Sequence, residues 1–195
     1  ADLGVRDSKT IADSKIRTLA GDIRKLLGRQ NCAVVLLRPP TYNRLYQKLP
    51  NVNRLLAWCH ARAIETLAEQ RPDCTRAVID QFARTEQTIN RALMSRGKAL
   101  TIEQMHKAER DIAVAAASVL ARDLFVRELA KLSEAFGLEL PKGAGPGVPK
   151  ALAELLDKRG PEALPQTAKC HFKTVHEALA AKGLTPDDLP EPPAP

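Results

Sequence analysis

The sequence predicts an α/β fold with parallel strands and flanking helices. Segments with apolar residues at helical spacing alternate with short, continuous apolar runs. Two of those runs, residues 32–37 and 76–81, are as short as strands buried on both faces. Of the 195 residues, 44% are hydrophobic and 27% charged, the balance of a soluble globular chain with a core of its own. Aromatic residues are only 4%, so that core rests on Leu, Ile, Val and Ala.

Each element has a local cause. Residues 10–28 read as an amphipathic helix on Ile16, Leu19, Ile23, Leu26 and Leu27, closed by Gly28. Residues 32–37 (CAVVLL), ahead of Arg38-Pro39-Pro40, read as a buried strand. A short helix is expected around Tyr42 and Tyr46. Asn51 then caps a long helix whose buried side carries Val52, Leu55, Leu56, Cys59, Ala63 and Leu67. Pro72-Asp73 ends it, and residues 76–81 form a second buried strand with Asp80 at its carboxyl end. A helix at 85–94 and a short strand at 99–104 follow. Residues 112–136 make the strongest helix, Ala-rich at first, with Val119, Leu120, Leu124 and Leu129 on its apolar side and Gly137 after it. A Gly/Pro loop spans 141–149, and two short helices lie near 149–157 and 174–182. From residue 184 the chain is expected to be a Pro-rich disordered tail. About three strands leave sheet edges uncovered. With a first residue that is not Met, this gives the expectation of a partial domain.

Charge and cysteine content narrow the function classes. Formal net charge is +7, and it is uneven: residues 1–50 hold 10 basic and 4 acidic side chains, residues 151–195 hold 5 and 7. Such a bias suits a polyanionic partner such as nucleic acid, or simply a solvated basic surface. No apolar run approaches the ~20 residues of a membrane span, so no membrane partner is expected. No apolar secretory segment opens the chain. The cysteines, Cys32, Cys59, Cys74 and Cys170, form no C-x-x-C pair, and the histidines supply no zinc spacing. Reduced thiols and a cytoplasmic location are the expectation.

Two places bear on chemistry. Asp80 stands where ligands of open α/β sheets gather. It is either a functional carboxylate or a strand-end residue capping a loop. Glu109 and Asp111 precede the Ala-rich helix, where acids are favoured by the helix dipole. Either they are caps, or one converges with Asp80 on a hard divalent cation such as Mg²⁺ or Mn²⁺.

Several motifs in order carry a resemblance. The stretch KAERDIAVAAASVLAR (107–122) resembles the helix motif of type 2 ribonucleases H, and VRDSK (5–9) is similar to their D-S-K motif. YNRLYQKLPNVNRLLAWCHARAIE (42–65), VIDQF (78–82), LPKGA (140–144) and AKCHFKT (168–174) resemble the ribonuclease HIII branch more specifically, as does Glu109 in place of Asp. The resemblance runs to about residue 182. It implies an RNase H-like fold, present in part over residues 1–183 with the first antiparallel strands missing. It also implies endonucleolytic cleavage of the RNA strand of RNA–DNA hybrids with Mg²⁺ or Mn²⁺. By motif, Asp80 and Glu109 match the third and fourth metal-holding carboxylates, and a D-E-x-G-x-G-like segment carrying the first two is not in the sequence. Ser8, Lys9, Arg122, Lys142 and Lys173 are the expected nucleic-acid contacts. The partner implied is the hybrid duplex, the complete protein is expected to be a monomer, and this stretch alone is expected to cleave slowly or not at all. Two other readings compete: a non-catalytic hybrid-binding module, which the basic first half favours, and ribonuclease HII, which would also incise at single embedded ribonucleotides.

Overall fold

The computed structural model describes residues 8–83, 85 and 87–193, with only the backbone of Lys9 and Arg29. The helices are α1 (Asp13–Leu27), α2 (Pro39–Lys48), α3 (Val52–Gln70), α4 (Gln87–Ala92), α5 (Ile112–Phe136), α6 (Val148–Arg159), α7 (Leu164–Thr167) and α8 (Lys173–Ala180). The strands are β1 (Arg76–Asp80) and β2 (Thr101–Met105). They pair in parallel, with Ala77 opposite Ile102 and Asp80 opposite Met105. Among the described residues this pair is the whole sheet. No described helix is long and apolar enough to cross a membrane.

The chain divides into two compact units, where the sequence suggested one domain to residue 183. The first comprises the described residues up to Val35 together with Asn51–Phe125. Its α1 buries Ile16, Leu19, Ala20 and Ile23 against Val119 and Leu120 of α5. A second cluster packs Ala57 and Ala61 of α3 against Ile79 of β1, Ile89 and Leu93. Small residues on α3 let the strand and α4 approach closely, which is why its buried face runs through Leu55, Ala57, Ala61 and Ala68. Val52 and Leu56, expected on that face, are exposed. Asn51 caps α3 as expected, its side chain accepting from the Arg54 N–H at 3.1 Å. The turn after α4 demands Gly97: a Cβ there would lie 2.8 Å from both Glu65 Oε1 and Leu93 Cδ2. Glu65 fills that space because it accepts from the backbone N–H groups of Arg96 and Gly97.

The second unit comprises Leu36–Pro50 and the chain from Val126 onward. Leu152, Leu155 and Leu156 of α6 pack with Leu164, Val175 and Leu179. Asn43 of α2 is buried and ties this unit together through backbone groups of Pro165, Ala168 and Cys170.

Two expectations need correction. Residues 32–38 form no strand, and they carry no ladder hydrogen bonds with the described residues. Val34 and Leu36 are 43% and 37% exposed. An apolar run becomes a strand only when a neighbour takes its N–H and C=O groups. Residues 184–193 are not the disordered tail expected. Leu184 and Leu189 pack on the second unit's core, and a 3-10 turn at Pro186–Asp188 is closed by a Thr185–Asp188 capping box. Two apolar anchors and a reciprocal cap outweigh the disordering effect of the prolines.

Candidate active site

The site begins with the end of β1. Ala77, Val78 and Ile79 fix the strand in the first unit, and Asp80 emerges exposed at its carboxyl end. Parallel pairing sets Asp80 opposite Met105, and the Gln81 N–H donates to the Met105 carbonyl at 3.1 Å. The chain leaving β2 therefore has to turn beside Asp80. It does so at Lys107, whose φ of 54° is left-handed and the only positive φ on a described non-glycine residue. That conformation is sparsely populated for a long side chain, costs about 1 kcal/mol, and gathers at functional sites. It delivers the 3-10 turn Ala108–Arg110, whose Ala108 N–H donates to Asp80 Oδ1 at 3.1 Å. Glu109 is the next residue and is half-buried. The register and one turn thus bring Asp80 into hydrogen-bond contact with the residue that precedes Glu109, 29 positions after Asp80.

The neighbours of this turn have separate tasks. Asp111 is the N-cap of α5, accepting from the N–H groups of Ala113 at 2.8 Å and Val114 at 3.4 Å. It also pairs with Arg76 at 3.7 Å, and Arg76 reaches Glu103 at 3.4 Å. The cap reading of Asp111 therefore accounts for its contacts. His60 of α3 stacks on Phe82 with centroids 5.1 Å apart and planes 9° apart. Burial holds its pKa below the usual histidine range, and the nearby Asp80 carboxylate partly opposes this. A largely neutral imidazole beside Asp80 was not legible in the sequence, because α3 and β1 are joined only by packing.

The expected nucleic-acid contacts are divided between the two units. In the first unit, Ser8 is buried at 6% exposure, which leaves its hydroxyl little room for a phosphate. Residues 5–7 of the D-S-K-like motif and the side chain of Lys9 lie outside the described residues. Arg122 donates to Asp13 at 3.2 Å, with its guanidinium 5.7 Å from the Phe125 ring centre. Its side chain is 28% exposed. Lys142 and Lys173 belong to the second unit and are exposed. Lys173 pairs with Glu177 at 3.0 Å along α8.

A parallel strand pair with an acid at the carboxyl end, packed with helices, places this chain in the α/β class, and the solved neighbours make the fold RNase H-like. The structure entitled "Crystal structure of Bst-RNase HIII in complex with Mn2+" superposes with a TM-score of 0.81 and 33% identity, over 92% of this chain and 58% of that one. The ribonuclease HII in the PCNA complex from Archaeoglobus fulgidus superposes with a TM-score of 0.71 and 27% identity, over 91% of this chain and 81% of that one. The family model for ribonuclease HII matches residues 1–175, and the chain belongs to that family of ribonucleases. Within it, the ribonuclease HIII of Chlamydia pneumoniae is 45% identical over 178 residues, 91% of this chain and 59% of that protein. The chain thus spans somewhat under two thirds of the length of that relative.

Proposed function

We propose that this chain is part of a ribonuclease of the HIII branch that hydrolyses the RNA strand of RNA–DNA hybrids, with Asp80 and Glu109 among the carboxylates that hold its divalent metal. The observation that carries this is the Asp80–Ala108 hydrogen bond, which sets the two motif acids against one turn. Both are hard oxygen donors suited to Mg²⁺ or Mn²⁺. Asp80 uses one oxygen on the Ala108 N–H and is exposed, which leaves its other oxygen for a cation. Among the described residues no three His, Cys, Asp or Glu side chains cluster closely enough to hold an ion. These two acids therefore fit as part of a metal site and do not complete one. When bound, the metals activate a water and stabilise the leaving oxygen of an in-line displacement. The chain's own residues set the geometry: the left-handed Lys107 positions the turn, the Ala108 N–H holds Asp80 Oδ1, and Asp111 caps α5 while pairing with Arg76. Exposed lysines, Lys142 and Lys173 among them, supply phosphate contacts, together with Ser8 and Lys9 of the D-S-K-like motif. Arg122 contributes only if it exchanges Asp13 for a phosphate.

The test sets the 195-residue chain beside a chimaera in which it replaces the matching span of a full-length ribonuclease HIII. The chain alone is expected to cleave a labelled hybrid slowly or not at all. The chimaera is expected to cleave it in Mg²⁺ or Mn²⁺. Asp80→Asn or Glu109→Gln in the chimaera should lower that rate by about a hundredfold or more. Variants that cleave at the parental rate would overturn the assignment. A chimaera that binds hybrid without cleaving it would favour the non-catalytic binding module suggested by the basic first half. Incision at a single embedded ribonucleotide would place the protein in the HII branch.

A further inference from the structure

In the second unit, three rings stand in a column. The Tyr46 and His171 rings lie 3.9 Å apart at 18°, and His171 and Phe172 lie 4.4 Å apart at 31°. Tyr42 flanks the column, 5.7 Å from His171 and 6.2 Å from Tyr46. The flank is closed: Tyr42 is buried, and its Oη has no hydrogen-bond partner among the described residues, nor has the buried His171 Nδ1. Ring packing is thus the interaction that these two side chains share, and it is retained although two buried polar atoms go unsatisfied. The outer end is open. Phe172 is 48% exposed. Its backbone carbonyl accepts from the Val175 and His176 N–H groups at the start of α8, so the ring is held at a fixed point. Cations stand around it. Lys169 Nζ lies 6.0 Å from the Phe172 ring centre and 4.8 Å from that of Tyr42. Lys173 is the adjacent residue, its side chain 88% exposed, and it pairs with the solvated Glu177.

We propose that Phe172 is a stacking platform for an unpaired nucleobase, with Lys169 and Lys173 holding the phosphates on either side of it. An apolar protein surface would not select two lysines at the rim of a half-exposed ring, whereas a strand of nucleic acid offers a π-face for the ring and charge for the rim. Bases inside a duplex are already stacked. The platform therefore takes a terminal, frayed or single-stranded base, and it names the part of the nucleic acid that this unit engages. The inference rests on the nuclease reading above only for the class of partner.

The experiment measures binding of the 195-residue chain to a labelled single-stranded oligonucleotide, to an abasic backbone of equal length and to a blunt-ended hybrid, without metal. The base-bearing strand is expected to bind more tightly than the abasic one. Phe172→Ala and Phe172→Leu should each remove that difference, a loss of about tenfold. Phe172→Trp should keep it, and its new indole emission should be quenched by the base-bearing strand alone. Lys169→Gln with Lys173→Gln should weaken both strands alike. The platform is wrong if the parent chain does not separate the two strands, if Phe172→Ala leaves the difference intact, or if the Phe172→Trp emission ignores the bases. Circular dichroism on each variant separates these outcomes from misfolding, and Phe172→Trp reports without removing the ring. Loss of hybrid cleavage in the chimaera with base-dependent binding intact would sink the nuclease reading and leave the platform standing. The reverse result would sink the platform alone.

Discussion

Asn43 shows how a single side chain can hold a unit together without leaving a local trace. Its Nδ2 donates to the carbonyls of Pro165 at 3.1 Å and Ala168 at 2.8 Å, and its Oδ1 accepts from the Cys170 N–H at 3.0 Å. It is 6% exposed, so water replaces none of these bonds. Asn43→Ala removes all three bonds, taking this partner from the Pro165 carbonyl and the Cys170 N–H and leaving the Ala168 carbonyl with the Cys170 Sγ contact at 3.8 Å, and should cost about 3 kcal/mol of stability. Asn43→Asp keeps the acceptor but loses the donors and buries a charge, and should cost more. Urea unfolding of the two variants checks this; a change within about 0.5 kcal/mol for Asn43→Ala would contradict it. Asn51 is the instructive contrast. Its partner, the Arg54 N–H, is three residues away, so the cap is legible as a pattern. The partners of Asn43 lie 122 to 127 residues away, and no window on the sequence contains them. The same holds at the candidate site. Motif and strand position single out Asp80 and Glu109 in the sequence, whereas the His60–Phe82 stack and the left-handed Lys107 exist only once α3, β1 and β2 are packed.

At the scale of elements, what the sequence shows well is what local chemistry decides. Helix α5 runs over the expected residues because an acid caps its start and Gly137, at φ 65°, ends it. Strands β1 and β2 were visible although the second is weak, because each finds its ladder in the other. Residues 32–37 have the stronger apolar signal and no strand. Propensity describes how a segment fits a pleated surface, and the surface has to be there. Hydrogen exchange tests the distinction directly. The amides of residues 33–37 should exchange close to the rate of an open chain, while those of Val78 and Asp80 are slowed by the ladder. Equal protection of the two segments would mean that 32–37 pairs as a strand in solution. The buried face of α3 was misjudged for a related reason. Its apolar residues cover more than one side, and only the approach of β1 and α4 selects the Ala57 and Ala61 side.

At the scale of the whole molecule, proton uptake links the two units to one observable. His60 in the first unit and His171 in the second both have pKa values held below the ordinary histidine value of 6.5. Burial is the main cause in each. For His171 the neighbouring Lys169 and His176 add to it, while for His60 the Asp80 carboxylate works against it. The folded chain therefore refuses protons that the unfolded chain accepts, so the unfolded state binds more protons as pH falls through about 6.5. Stability should be at its plateau above that value and should decline as pH drops toward the folded pKa values. A second decline should begin lower, near the carboxylate range. There Glu128, held down chiefly by its hydrogen bond from Lys131 and also by Arg38, loses its charge. The formal charge of +7 grows through both windows and adds self-repulsion, which salt weakens. Unfolding followed from pH 7.5 to 5 at fixed, moderate salt isolates the histidine part. His171→Phe keeps a ring in the column and removes one titrating group, so its stability should fall less steeply over that interval than that of the parent chain. If the two curves run parallel from pH 7.5 to 5, His171 titrates alike in folded and unfolded chains, and packing in the ring column does not hold its pKa down.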